Sequence, residues 1–319
     1  MKQICPVCFH HCALAVGQTG LCRARRNVDG HIVCINYGKI TAMALDPVEK
    51  KPLRRFYPGS RILSVGSFGC NFACPFCQNY EISMAGAASE ERWTGSGAGG
   101  SRRDCRTEDG TADVPGDAGQ HSGAPATGTD GPWAEYVEMS PGQVVRRALQ
   151  LEAQGNIGIA YTYNEPLVGW EYVRDCARLA HAQGLKNVVV TNGSLDGALL
   201  SELLPYIDAF NIDLKGFTED FYRMVHGSLG AVMDFIRQAA AVSHVEVTTL
   251  VIPGLNDSEG EIAALARWLA GVGPDIVLHL SRFFPCYHMM DRQATPVGTV
   301  YRLAEVARES LEFVYTGNC

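Results

Sequence analysis

The chain has 319 residues, 46% of them hydrophobic, a formal net charge of −7 and twelve cysteines. That length can bury a full core, and one large α/β domain with a small accessory piece is expected. The mild charge gives no polyanion-binding footprint, so nucleic acid is not an expected partner, and no apolar run is long enough for a membrane span.

The opening Met-Lys-Gln-Ile-Cys-Pro carries no signal-like apolar region, and seven cysteines fall into two tight groups. Metal ligation in a reducing cytoplasm is therefore expected over disulfide stapling. The first group is Cys5, Cys8, Cys12 and Cys22, spaced C-x2-C-x3-C-x9-C with Gly17 and Gly20 between the last two. Those glycines let the backbone fold back towards a metal. Four soft ligands can close a site, and a structural zinc or an auxiliary iron–sulfur cluster would satisfy them. Plain buried thiols are the weaker reading, because so short a segment has little else to fold around. His10 and His11 could substitute as ligands, though solvent-facing rings are the ordinary outcome. Cys34, in the Ile32-Val-Cys-Ile35 run, reads as a small buried hydrophobe on a strand. The basic connector from Lys50 to Gly59 reads as a solvated loop or, lying just upstream of the next cysteine group, as a contact for an acidic partner or substrate.

The second group follows the apolar run 62–65 and places Cys70, Cys74 and Cys77 in a C-x3-C-x2-C spacing. Three thiolates on one tight loop can hold three irons of a [4Fe–4S] cube and leave the fourth open to a small molecule. Zinc would want a fourth ligand nearby, and none follows within the next twenty residues. Beyond Met84 the composition changes abruptly. Residues 86–132 hold 11 of the 34 glycines and few apolar side chains, so a disordered insertion is expected there, with no role for Cys105 or His121.

From Ser140-Pro141 a β/α rhythm takes over. Strands are expected at 62–65, 157–161, 187–191, 209–214, 245–252 and 276–280, with a short one at 312–315. Helices are expected at 144–153, 167–183, 195–204, 218–225, 229–242, 258–270 and 300–309. The alternation means a parallel sheet with right-handed crossovers, either a barrel or an open doubly wound sheet. Polar residues gather at the C-terminal strand ends: Asn164-Glu165, Thr191-Asn192-Gly193, Asp213-Leu-Lys215 and Ser281-Arg282. In a barrel that rim binds ligands.

The C-x3-C-x2-C loop followed in order by Tyr163-Asn164-Glu165-Pro166, Thr191-Asn192-Gly193, Asp213-Leu214-Lys215 and Val251-Ile-Pro-Gly-Leu-Asn-Asp257 resembles the radical S-adenosylmethionine (radical SAM) enzymes. The similarity is to their pyruvate formate-lyase activase branch. The resemblance implies a partial (β/α)6 TIM-like barrel over residues 59–319, and the cysteine spacing ahead of it makes residues 1–58 a Cys-rich N-terminal metal-binding extension. It implies a [4Fe–4S] cluster on Cys70, Cys74 and Cys77 that reductively cleaves S-adenosylmethionine to a 5′-deoxyadenosyl radical for hydrogen abstraction. Glu165, with Asn164 beside it, would engage the methionyl ammonium, and Lys215 or Arg282 would pair with the carboxylate. Thr191, Asn192 and Asp213 would bond the ribose, and Phe76 would stack near the adenine.

The N-terminal Cys segment, Phe56-Tyr-Pro-Gly59 and Leu280-Ser-Arg-Phe-Phe-Pro285 together are similar to the AmmeMemoRadiSam-system enzymes. That likeness implies Memo- and AMMECR-family partners and an electron donor such as flavodoxin or ferredoxin. Two features depart from the pattern: the 86–132 insertion, and Cys319 standing where a longer Cys-bearing tail is expected. The radical's target is read as a small molecule or peptide. The alternatives are an activase making a glycyl radical on a partner protein, or a non-catalytic iron–sulfur or zinc scaffold. Many activases carry eight cysteines after the first loop, whereas the extra group here precedes it. A scaffold has no chemical reason to keep Glu165, Asn192, Asp213 and Lys215. Cys286 and Tyr287 could relay a hydrogen atom if they face the cavity.

Overall fold

The computed structural model describes residues 2–85 and 134–319. The expected insertion, with Cys105 and His121, lies outside the described residues.

Eight strands form one sheet: β1 (Ala42–Pro47), β2 (Arg61–Gly66), β3 (Asn156–Tyr161), β4 (Lys186–Thr191), β5 (Ala209–Asp213), β6 (His244–Val251), β7 (Val277–Arg282) and β8 (Val314–Gly317). They lie side by side in chain order, with β1 antiparallel to β2 and every later pair parallel. A doubly wound sheet reverses its strand order at a switch point. This order never reverses, so successive right-handed crossovers return on one face and the sheet curls into a partial barrel open between β8 and β1. Strands β2 to β7 are the expected (β/α)6 unit. The edge strand β1, legible only as a β-like run, and the parallel β8 extend it on either side.

The helices are α1 (Tyr80–Ser83), α2 (Pro141–Gln150), α3 (Trp170–Ala182), α4 (Gly197–Leu203), α5 (Glu219–Met224), α6 (Leu229–Ala240), α7 (Glu259–Val272) and α8 (Val297–Arg308). Their starts follow local chemistry. Ser140 and Gln143 form a capping box on α2, and Asp196, Thr218, Ser228 and Ser258 each accept a first-turn N–H. Helix α4 begins two residues later than expected because Asp196 caps it, while Leu195 bridges to Cys8. Helix α2 ends early, where a short 3-10 turn leads into Gly155 at φ +86°.

Alternation along the strands divides the core. Leu63, Val65, Ile159, Tyr161, Val189, Phe210 and Ile212 face the helices in the main core. The opposite, inner face carries Ile62, Ala160, Val188 and Ala209, covered by Val48, Leu53 and Phe56 of the 48–60 connector. The connector is thus not the solvated loop its basic residues imply. Leu53 is fully buried and Lys51 nearly so, its ammonium 2.8 Å from Asp46 Oδ2. Glu246, buried on β6, clasps the same connector. It accepts from Arg54 N at 2.9 Å and Arg55 N at 2.8 Å, and sits 2.9 Å from His244 Nε2 and 2.5 Å from His279 Nε2. Burial alone would push this carboxyl up, but the four donors outweigh it and hold it at about 2.

The N-terminal segment forms two short antiparallel pairs, Gln3–Ile4 with Ala13–Leu14 and Arg25–Val28 with His31–Cys34. Buried Arg25 ties it to the barrel through a two-pronged bond to Glu171 at 2.6 and 2.5 Å. Cys34 is half-buried, with its thiol 3.0 Å from Asn36 Oδ1, where a buried hydrophobe was expected. Ala85 and Ala134 pack together on Phe68, beside Ile82 and Tyr136. Among the described residues no helix is long and apolar enough to cross a membrane.

Candidate active site

The loop after β2 carries the three closely spaced cysteines, and it is braced from several directions. Asn164 accepts from Ser67 N at 3.0 Å and donates to Gly69 O at 3.0 Å. Ala73 N donates to Val225 O at 2.9 Å, and His288 N to Pro75 O at 2.9 Å. Gly69 sits at φ +90°, and a Cβ there would lie 2.5 Å from Cys22 O, so no other residue fits between the loop and the N-terminal segment.

Cys74 is buried, and Cys70 and Cys77 are half-buried. Burial pushes all three thiols up, Cys74 to about 12; Glu165 and Cys74 add to it at Cys70, Cys77 and Asp213 at Cys74, and Asp213 at Cys77. Lys215 works the other way on Cys74 and Cys77. Such thiols stay neutral until a metal displaces the proton. Among the described residues no three His, Cys, Asp or Glu are grouped to hold one metal ion. Three thiolates spread along one loop suit separate irons of a cube instead, so the donor set fits a [4Fe–4S] cluster.

Glu165 stands beside this loop at the end of β3. Its Oε1 accepts from Leu167 N at 3.0 Å and Thr191 Oγ1 at 2.7 Å, and its Oε2 from Asn192 N at 2.7 Å. Burial pushes the carboxyl up to about 7, against the pull of those donors. Asn192 then turns its side-chain N–H to Asn71 Oδ1 at 2.8 Å and within 3.8 Å of Cys70 Sγ. Gly193 makes that turn possible: φ is +69°, and a Cβ would lie 2.8 Å from Ile212 Cγ2. At the end of β5, Lys215 Nζ meets Asp213 Oδ2 at 2.9 Å. Burial disfavours the ammonium, but Asp213 and Cys74 outweigh it and hold Lys215 charged.

Cys70, Cys74, Cys77, Asn164, Glu165, Thr191, Asn192, Asp213 and Lys215 therefore gather at one end of the sheet. An anion pair and a cation beside three thiols can recognise a zwitterion next to a metal. Two further expected members have partners of their own. Phe76 is buried beside Phe221, ring centroids 6.1 Å apart. Arg282 donates to Thr295 O at 2.7 Å and lies over the Phe284 ring at 4.6 Å. Tyr287 stacks on Tyr80 at 4.6 Å beside the loop.

Several neighbours of these residues were given no role by the sequence reading. Asn71 lies between two cysteines and bonds Asn192 and Ser194. Asn256 donates to Lys215 O at 2.7 Å, and Tyr222 receives Lys215 N at 3.3 Å. Tyr163, at φ +73°, donates from its hydroxyl to Asp46 Oδ2 at 2.8 Å. Asparagine within a C-x3-C spacing was the one available signal. In the N-terminal group, Cys5, Cys8, Cys12 and Cys22 line one small cavity with Arg25 and Asn71. His10 bonds Asn71 O at 2.8 Å instead of facing solvent, whereas His11 is exposed.

A sequence model of the radical SAM superfamily matches residues 64–266. An uncharacterized protein of Methanocaldococcus jannaschii is 33% identical over 321 residues, 99% of this chain and 81% of its own length. The isethionate sulfite-lyase activating enzyme of Desulfovibrio desulfuricans is 25% identical over 166 residues, 50% of this chain and 53% of its own. A benzylsuccinate synthase activating enzyme of Thauera aromatica is 28% identical over 137 residues, 41% of each. Among solved structures, a radical SAM methyltransferase from Sphaerobacter thermophilus shares the fold with a TM-score of 0.53, at 16% identity over 82% of this chain and 67% of that one. With a loop of three cysteines, a sequentially ordered partial barrel and these matches, the chain belongs to the radical SAM superfamily, enzymes that work with a [4Fe–4S] cluster and S-adenosylmethionine.

Proposed function

We propose that Cys70, Cys74 and Cys77 hold the cluster, and that the rim holds S-adenosylmethionine for hydrogen abstraction from a small-molecule or peptide substrate. When bound, the pair supplies a one-electron cleavage that yields a hydrogen-abstracting radical. In this reading Glu165 offers its carboxylate to the methionyl ammonium and Lys215 offers its ammonium to the carboxylate. Thr191, Asn192 and Asp213 lie within reach of further polar groups. Asn164 acts by bracing the cysteine loop. The observation that carries the reading is Asn192, whose main chain bonds Glu165 while its side chain reaches Cys70. One residue thereby couples the metal loop to the anion that would receive the ligand.

The narrower reading is an AmmeMemoRadiSam-system enzyme of the cytoplasm. It would consist of a Cys-rich extension at 1–58 on a barrel at 59–319, with a flavodoxin or ferredoxin donor and Memo- and AMMECR-family partners. The N-terminal cysteine segment supports it. The two relatives named as activating enzymes favour a second reading, a glycyl-radical activase acting on a partner protein. The test is anaerobic reconstitution with iron and sulfide, then dithionite and S-adenosylmethionine, with 5′-deoxyadenosine and iron counted for the wild type and Cys74→Ala. Loss of both in the variant is expected. Iron bound without 5′-deoxyadenosine in the wild type would move the reading to a scaffold.

A further inference from the structure

Cys5, Cys8, Cys12 and Cys22 belong to a segment with little regular structure, yet all four line one cavity. Two non-glycine residues with left-handed backbone flank them: His11 at φ +40°, before Cys12, and Arg23 at φ +63°, after Cys22. Strain of this kind persists where surrounding bonds over-determine it. Buried Arg25, its guanidinium paired with Glu171, lines the same cavity and fixes its wall to the barrel. The cavity wall is shared with the catalytic loop. Cys22 O lies against Gly69, Val7 O accepts from Asp196 N at 2.9 Å, and Asn71, next to Cys70, lines the cavity from the loop side. Asn71 also accepts from Asn192 at 2.8 Å and donates to Ser194 Oγ at 2.7 Å, while its carbonyl takes His10 at 2.8 Å.

We infer that these four cysteines carry a second, fully thiolate-bound soft-metal centre that holds Asn71 against Asn192 and so positions the S-adenosylmethionine end of the catalytic site. The inference rests on the catalytic reading above. Its chemistry is that of four thiolates on a soft metal, met by one zinc ion or by an iron–sulfur cube. No three of these side chains already surround a single-ion position, so loading draws the cysteines together around the metal. Asn71 is then a positioning residue that acts through Asn192.

The experiment uses the full chain, purified and reconstituted without oxygen, with iron and zinc counted per chain. Metal beyond the four irons of the catalytic cluster is expected, as about one zinc or about four further irons. The double variant Cys8→Ser/Cys22→Ser should lose that metal and keep the four irons. It should also weaken the change that S-adenosylmethionine causes in the electron paramagnetic resonance spectrum of the reduced catalytic cluster. Asn71→Ala should retain the second metal, yet weaken the same spectral change and raise the KM for S-adenosylmethionine about tenfold, with kcat altered less, as loss of a buried hydrogen bond would give. This second variant keeps the test open if the double variant does not fold. Wild-type chain with four irons and no other metal would overturn the inference. An unaltered spectrum and KM in Asn71→Ala would overturn it equally. Failure of the catalytic reading shows differently, as wild-type chain that makes no 5′-deoxyadenosine whatever its metal count.

Discussion

Glu246→Gln keeps the shape of a side chain on which four donors converge and removes its charge. In the folded protein burial pushes the Glu246 carboxyl up, while His244, His279 and the N–H groups of Arg54 and Arg55 bring it down, from the ordinary 4.5 to about 2. At ~1.4 kcal/mol per pH unit that gap corresponds to roughly 3 kcal/mol of stability. The carboxyl is lowered on folding, so its contribution is complete above pH 4.5 and is lost as the pH falls through about 2. The amide also turns a donor towards donors, which adds to the loss. Anaerobic urea titrations of cluster-loaded wild type and variant should differ by about 3 kcal/mol at neutral pH. The deficit should persist from about pH 5.5 to 8, where the carboxylate is fully ionised. A deficit below about 0.5 kcal/mol, the scale of a neutral surface change, would refute the reasoning.

Gly193→Ala forces a left-handed φ of +69° on a side chain 2.8 Å from Ile212, and should cost about 1–3 kcal/mol in urea titration while raising the KM for S-adenosylmethionine. Glu165→Gln should leave the iron content unchanged and weaken S-adenosylmethionine binding at least about tenfold by equilibrium dialysis, since the charge facing the ammonium is gone. Unchanged binding there would remove Glu165 from the ligand site. Tyr163→Phe takes the hydroxyl from Asp46 but leaves Lys51 bonded to it, so a stability loss of about 1 kcal/mol is expected.

The β/α rhythm was readable because each strand and helix is set by local alternation and by caps such as Ser140, Thr218 and Ser258. Periodicity left open the choice between a barrel and a doubly wound sheet, since both share the same local periods and differ only in which strands become neighbours; the ordered motifs pointed to the barrel that the structure shows. The burial of the 48–60 connector was hidden for the same reason: Arg54 meets its acceptor, Glu246, 192 residues further along the chain. Among the site residues, Glu165, Thr191, Asn192, Asp213 and Lys215 were legible because their motifs end successive strands. Phe76 packs beside Phe221 and Arg282 bonds Thr295 O, contacts that no motif announces because one partner is distant in sequence and the other is a main-chain carbonyl. Asn71 is a bridge between two cysteine groups, and no single motif contains both of its ends.

The clasp of Ala85 and Ala134 on Phe68 has a consequence for how this protein can vary. Phe68, the residue they share, stands two positions before Cys70. Two alanines far apart in sequence are thereby part of the footing of the cysteine loop. A larger side chain at either position would press on Phe68 and move the end of the loop that carries Cys70, so small residues there set how closely the metal ligands are held.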